Sequence, residues 1–123
     1  MNALDLARTV RDWAPGVAPK IGIVLGSGLG TFAARIEEAQ AIPYADLPGF
    51  PRSGVSGHAG ELVLGRIAGT QIAVLSGRAH FYEHGNPREM AVPIATLAAL
   101  GCDMLILTNA AGSLRPEVGP GTP

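Results

Sequence analysis

Arg78, His80 and Tyr82 alternate along Ser76-Gly77-Arg78-Ala79-His80-Phe81-Tyr82-Glu83-His84-Gly85. The segment follows Ile72-Ala73-Val74-Leu75, a short apolar run that reads as a buried strand. In extended backbone, residues two apart point to the same side. An arginine, a histidine and a tyrosine then share one face at the end of a strand. The guanidinium is a planar fork that matches phosphate oxygens. The imidazole adds a donor whose charge responds near neutral pH. The phenol can stack on a sugar or hydrogen-bond to it. The trio suits an anionic, sugar-like ligand. The structural alternatives are an ion pair of Arg78 with Glu83 or Glu61, a satisfied structural His80, and a Tyr82 that only packs.

Two further segments have matching chemistry. Gly26-Ser27-Gly28-Leu29-Gly30 follows the apolar run Ile21–Leu25 and precedes a helical pattern through Phe32, Ala33 and Ile36. Strand, glycine turn and helix aim backbone N–H groups at a phosphate. No Gly-Lys-Ser/Thr follows, so this is not a nucleotide-triphosphate loop. Thr31 stands where a dinucleotide fingerprint has its third glycine, and Asp46 lies in a proline-rich stretch rather than at a strand end. A dinucleotide-dependent oxidoreductase domain therefore stays only as a rival reading. What remains is a turn whose Ser27 hydroxyl and amides suit one free phosphate, or simply a tight turn. Asn109-Ala110-Ala111-Gly112 follows the apolar run Met104–Thr108, and its small residues leave an amide free to donate. Ligands of open α/β sheets sit at the carboxyl ends of strands. Three such ends therefore bring a serine, an arginine, a histidine and a backbone N–H around one anion. His58, in Ser56-Gly57-His58-Ala59-Gly60, is either solvent-facing or lets the backbone approach that ligand closely. Three scattered histidines and one cysteine offer no metal-ligand spacing, and Gly26-Ser27-Gly28 lacks the nucleophile-elbow pattern.

The elements that must position these residues follow from periodicity. Leu4, Leu6, Ala7, Val10 and Trp13 predict an amphipathic first helix with Asn2 as N-cap, ended by Pro15-Gly16. Ile21–Leu25 and Met104–Thr108 read as buried strands. Residues 43–60 read as a loop, broken by prolines and glycines. Residues 62–67 and 70–75 flank Ala68-Gly69 as a hairpin. Pro87 to Leu100 reads as a helix with Met90, Ile94, Leu97 and Gly101 on one face, Pro93 in its first turn or kinking it, and Gly101 as its stop.

Composition bounds the class. A chain of 123 residues with 47% hydrophobic and 15% charged residues forms a core and fits one domain. Nine basic against ten acidic residues, a net charge of −1, argue against nucleic acid or an acidic membrane as partner. A single cysteine, Cys102, allows no internal disulfide and fits a reducing cytosol. The first residues lack a signal peptide's continuous apolar core, and no apolar run approaches the ~20 residues of a membrane span. The turn-rich Val118–Pro123, with no closing helix or strand, gives the expectation of a fragment.

Gly26–Gly30, Phe50-Pro51-Arg52-Ser53, Gly57-His58-Ala59-Gly60, Gly77–Glu83 and Thr108–Leu114 occur in this order. As a set they resemble the N-terminal part of purine nucleoside phosphorylases of the trimeric type, from about Ile21 to Gly119. The resemblance implies an α/β, three-layer nucleoside-phosphorylase-like fold with a central mixed sheet flanked by helices. Residues 1–123 would be the N-terminal part of a single phosphorylase domain whose C-terminal part is absent. The reaction implied is phosphorolysis of purine (deoxy)ribonucleosides to free base and (deoxy)ribose 1-phosphate, a pentosyl transfer in purine salvage. By the same resemblance Ser27, His58, Arg78, His80 and the amide of Ala110 bind phosphate, and Ala79 belongs to that segment. Tyr82 faces the ribose and Glu83 orders the loop. Methylthioadenosine phosphorylases, the related branch, typically have an Arg-His-Gly signature where this chain has Gly77-Arg78-Ala79-His80, and usually Thr-Ala-Cys-Gly where it has Asn109-Ala110-Ala111-Gly112. Both departures favour 6-oxopurines such as inosine and guanosine. Further implications are inorganic phosphate as co-substrate with no cofactor or metal, a cytoplasmic homotrimer when full length, and purine-recognition residues beyond residue 123. No catalytic acid or base is assignable within the chain, which alone is expected to be inactive.

Overall fold

Asn2 caps the first helix as its type suggests: its side-chain oxygen accepts from the Asp5 N–H at 2.9 Å. The computed structural model describes residues 2–25, 30–51, 60–76 and 90–108. Within them lie α1 (Ala3–Trp13), β1 (Ile21–Leu25), a 3₁₀ helix (Gly30–Arg35), β2 (Glu37–Pro43), a 3₁₀ turn (Tyr44–Asp46), β3 (Glu61–Ile67), β4 (Thr70–Ser76), α2 (Ala91–Ala99) and β5 (Met104–Leu107). The strands form one sheet in the order β2-β3-β4-β1-β5. β1 runs parallel to both β4 and β5, while β2/β3 and β3/β4 are antiparallel. The mixed sheet with flanking helices that the resemblance implies is therefore present.

Period-two alternation explains the two cores. Val24, Leu62, Leu64, Ala73 and Leu75 belong to the cluster that includes Leu6, Ala7 and Val10 of α1 and Leu97 of α2. Their sequence neighbours Ile23, Val63, Ile72 and Val74 belong to the second cluster, with Ile36, Phe32 and Ala33. Both sheet faces are thus apolar, one covered by α-helices and the other by the 3₁₀ segment. α1 and α2 pack together, and Arg11 donates to the Ala99 carbonyl at 3.0 Å.

Several expectations are corrected. α1 buries Leu6, Ala7 and Val10, whereas Leu4 and Trp13 face outward, 67% and 51% exposed. The buried positions of α2 are Pro93, Thr96 and Leu97, so its face is rotated from the expected Met90-Ile94-Leu97-Gly101 stripe. Pro93 sits in the first turn, where its missing N–H costs nothing. The expected helix through Phe32 is only 3₁₀, because the chain turns out of it into β2 at Glu37. β2 itself escaped the pattern: it is exposed at every position but Ile42, so no alternation marks it. It is held by its ladder with β3 at the sheet edge, where Pro43 is tolerated. Residues 44–50 are not plain loop, since Tyr44, Leu47 and Phe50 are buried. β5 was expected to be buried, yet Met104, Leu105, Ile106 and Leu107 are 41–62% exposed. As the other edge strand it contributes no side chain to either core cluster. The 62–67/70–75 hairpin is as expected, turning through left-handed Ala68 and Gly69.

Candidate phosphate site

Register brings the ends of the strands that adjoin the candidate segments to one edge of the sheet. Leu25 pairs with Ser76 across β1/β4, and Val24 pairs with Leu107 across β1/β5. The three parallel strands therefore end level. β3 is antiparallel to β4, and its first residue, Glu61, pairs with the last of β4, Ser76. The chain thus enters β3 at the edge where β1, β4 and β5 end. Pro43, at the end of β2, pairs with Glu61 and joins them. Segments 26–29, 52–59, 77–89 and 109–123 adjoin these strand ends directly in sequence. The expected site residues Ser27, His58, Arg78, Ala79, His80, Tyr82 and Ala110 all lie in those segments, outside the described residues. What the fold brings together is the set of positions from which they depart.

Two described residues build the frame of that edge. Thr108 donates to the Val24 carbonyl twice, from its backbone N–H at 3.0 Å and from its hydroxyl at 2.7 Å. Tyr44 brackets the 51–60 stretch. Its N–H donates to the Gly60 carbonyl at 3.0 Å, and its ring meets Phe50 edge-on at 5.2 Å and 62°. Gly60 lies so close to that ring that a Cβ there would overlap Cδ2 and Cε2. Burial, and then the charge of Glu61, push the Tyr44 phenol well above tyrosine's ordinary range. The hydroxyl is a neutral, buried group with no partner among the described residues. At the opposite edge the Asp103 N–H donates to the Lys20 carbonyl. Beside it, burial and then Asp103 raise the Cys102 pKa, which favours the neutral thiol. No group of three potential metal ligands occurs among the described residues. Neither Thr108 nor Tyr44 was singled out as a site residue from sequence. A threonine ending an apolar strand and an aromatic beside a glycine-rich stretch are the signals that could have found them.

The family profile described as "Phosphorylase superfamily" matches residues 20–123. The chain belongs to that superfamily. Its relatives narrow the likeness to purine nucleoside phosphorylases. Purine nucleoside phosphorylase 1 of Geobacillus stearothermophilus is 47% identical over 104 residues, 85% of this chain and 38% of the relative. The Rattus norvegicus purine nucleoside phosphorylase is 42% identical over 103 residues, 82% of this chain and 36% of that protein. Among solved structures, isoform 2 of the Schistosoma mansoni enzyme, in complex with cytosine and ribose-1-phosphate, superposes with a TM-score of 0.85 at 41% identity. That alignment covers 95% of this chain and 41% of the other. A Schistosoma mansoni purine nucleoside phosphorylase in complex with inosine gives 0.84 at 34% identity, over 96% of this chain and 41% of the other. The chain therefore spans less than half the length of these relatives. The superfamily match sets aside the dinucleotide-dependent rival.

Proposed function

We propose that this chain is the phosphate- and ribose-holding portion of a purine nucleoside phosphorylase, the N-terminal part of a single phosphorylase domain. The observation that carries the reading is the level ending of β1, β4 and β5, together with the start of β3, at one sheet edge. All the expected anion-binding segments are attached there. The Schistosoma mansoni relative solved with ribose-1-phosphate supports a ligand of that class.

In this reading Ser27, His58, Arg78, His80 and the Ala110 amide hold inorganic phosphate, with Ala79 in the same segment and Tyr82 facing the ribose. A phosphate oxygen attacks the anomeric carbon of the ribose and forms the new C–O bond. The bond from that carbon to the purine nitrogen breaks, its electron pair leaves with the base, and the base takes up one proton, in net terms the proton that hydrogen phosphate gives up on becoming the ester. The products are ribose 1-phosphate and free purine, so no electrons are gained or lost overall. A dianion fixed beneath the sugar also stabilises the positive charge that develops as the glycosidic bond opens. The protein's task is therefore placement and charge rather than proton transfer from these residues. Phosphate serves as co-substrate, 6-oxopurine nucleosides are the expected partners, and the full-length protein is a cytoplasmic homotrimer of purine salvage.

A hybrid tests this directly. Residues 20–123 replace the matching segment of the Geobacillus stearothermophilus relative, and inosine phosphorolysis is followed. The folded hybrid should form hypoxanthine and ribose 1-phosphate, whereas the 123-residue chain alone should not. A folded hybrid without phosphorolysis refutes the reading.

A further inference from the structure

The end of β5 carries a hydrogen-bonding arrangement that an ordinary parallel ladder does not need. A ladder position there requires only the backbone N–H of Thr108, which meets the Val24 carbonyl at 3.0 Å. The Thr108 hydroxyl adds a second donor to the same oxygen, at 2.7 Å. A carbonyl oxygen has two lone pairs, so both bonds can form together. Val24 is buried and Thr108 is partly buried, so water competes weakly for this pair. The bond also falls at a telling place. Val24 lies three residues before Ser27, and Thr108 lies two before Ala110. The neighbouring ladder, which pairs Leu25 with Ser76 two residues before Arg78, has only backbone bonds to rely on among the described residues, whereas the β1/β5 end has this side-chain bond as well.

We infer that Thr108 is a positioning residue for phosphate binding: its hydroxyl sets the spacing between the ends of β1 and β5, the strands from which the segments of the proposed donors Ser27 and Ala110 depart. The inference rests on the proposed phosphate site. The physical reason is that an anion bridged by donors from two strands gains full binding only when both stand at hydrogen-bond distance together. A backbone ladder alone allows the terminal pair of an edge strand to fray, and β5 is an edge strand. A side-chain bond to the last buried carbonyl before the exit suppresses that fraying where the donors begin. Threonine is suited to the place, since a β-branched residue fits extended backbone and its hydroxyl reaches locally.

The test uses inorganic phosphate as probe and the 123-residue chain in four forms: unaltered, Thr108→Val, Thr108→Ser and Arg78→Ala. Calorimetric titration gives the phosphate Kd, and thermal unfolding is followed in parallel. Thr108→Val keeps the shape and removes the hydroxyl. Its Kd should rise about fivefold, the loss expected for one neutral hydrogen bond. Thr108→Ser should restore the unaltered Kd, even if its melting temperature falls with the loss of a β-branched methyl. A purely structural threonine would move melting temperature without this split between Val and Ser. If Arg78→Ala weakens phosphate while Thr108→Val does not, the role of Thr108 is wrong and the phosphate site stands. A Thr108→Ser chain that loses affinity as Thr108→Val does also overturns the role. If Arg78→Ala leaves phosphate binding unchanged, the phosphate reading fails and this inference with it.

Discussion

Replacing Gly60 with alanine should strain the frame on which the His58 segment rests. A methyl group there would overlap Cδ2 and Cε2 of Tyr44 and stand 3.1 Å from its Cγ. The ring has nowhere to go: it is 5% exposed and held edge-on by Phe50 at 5.2 Å. The backbone cannot simply withdraw either, because the Tyr44 N–H is bonded to the Gly60 carbonyl at 3.0 Å. Overpacking of this kind costs about 1–3 kcal/mol. For a domain of this size each kcal/mol lowers the melting temperature by roughly 4 °C, so a fall of roughly 4–12 °C is expected. A double-mutant cycle isolates the cause. Tyr44→Ala alone leaves a cavity and costs about 3–5 kcal/mol. In that background the added methyl has room, and Gly60→Ala should cost almost nothing. The coupling energy should then equal the strain, about 1–3 kcal/mol. Thermal unfolding followed by circular dichroism measures all four chains. A Gly60→Ala chain that melts with the parent, or a cost that persists in the Tyr44→Ala background, would refute the clash.

Arg78→Ala in the hybrid enzyme should raise the KM for phosphate by about one to two orders of magnitude while barely moving that for inosine, since a charged hydrogen bond is worth about 1.5–3 kcal/mol; steady-state kinetics with each substrate varied checks it. Tyr44 is an acid whose pKa is raised on folding, by burial first and Glu61 second. Its contribution to stability is therefore complete below the unfolded value near 10 and is lost as pH climbs above it. Tyr44→Phe should flatten the fall in melting temperature as pH rises above about 10, and an unchanged alkaline limb would show that Tyr44 does not control it. Ile106→Lys places a charge on the exposed apolar edge strand β5. It should weaken concentration-dependent self-association of the 123-residue chain in light scattering, because lysine blunts strand edges.

Much of the architecture was legible because its signals are local. Ile21–Leu25 and the 62–75 hairpin announce themselves through apolar runs and a left-handed turn at Ala68-Gly69. The Asn2 cap and the position of Pro93 in the first turn of α2 are likewise set within a few residues. The misses share one physical cause, which is pairing with distant chain. β2 has no pattern of its own, and only its ladder with β3 makes it a strand. β5 has the composition of a buried strand but lies at the edge of the sheet, where its side chains meet solvent. Tyr44 reads as a loop residue until Phe50 and Gly60 close around its ring.

The candidate site divides the same way. Residue types and order, from Ser27 through His58, Arg78, His80 and Tyr82 to Ala110, carry its chemistry. A guanidinium fork, imidazoles and free amides suit phosphate wherever they stand, and their ordered motifs carry the likeness to purine nucleoside phosphorylases. Where the strands that precede or follow them end is a tertiary fact. It depends on β1 lying between β4 and β5 in parallel, and on β3 running back against β4. Those registers are set by burial of two apolar sheet faces at once, since a one-residue slip would turn each core side chain to the wrong face. Sequence alone thus determined which groups could hold an anion, and packing of the sheet decided that the strands bearing them end at one edge.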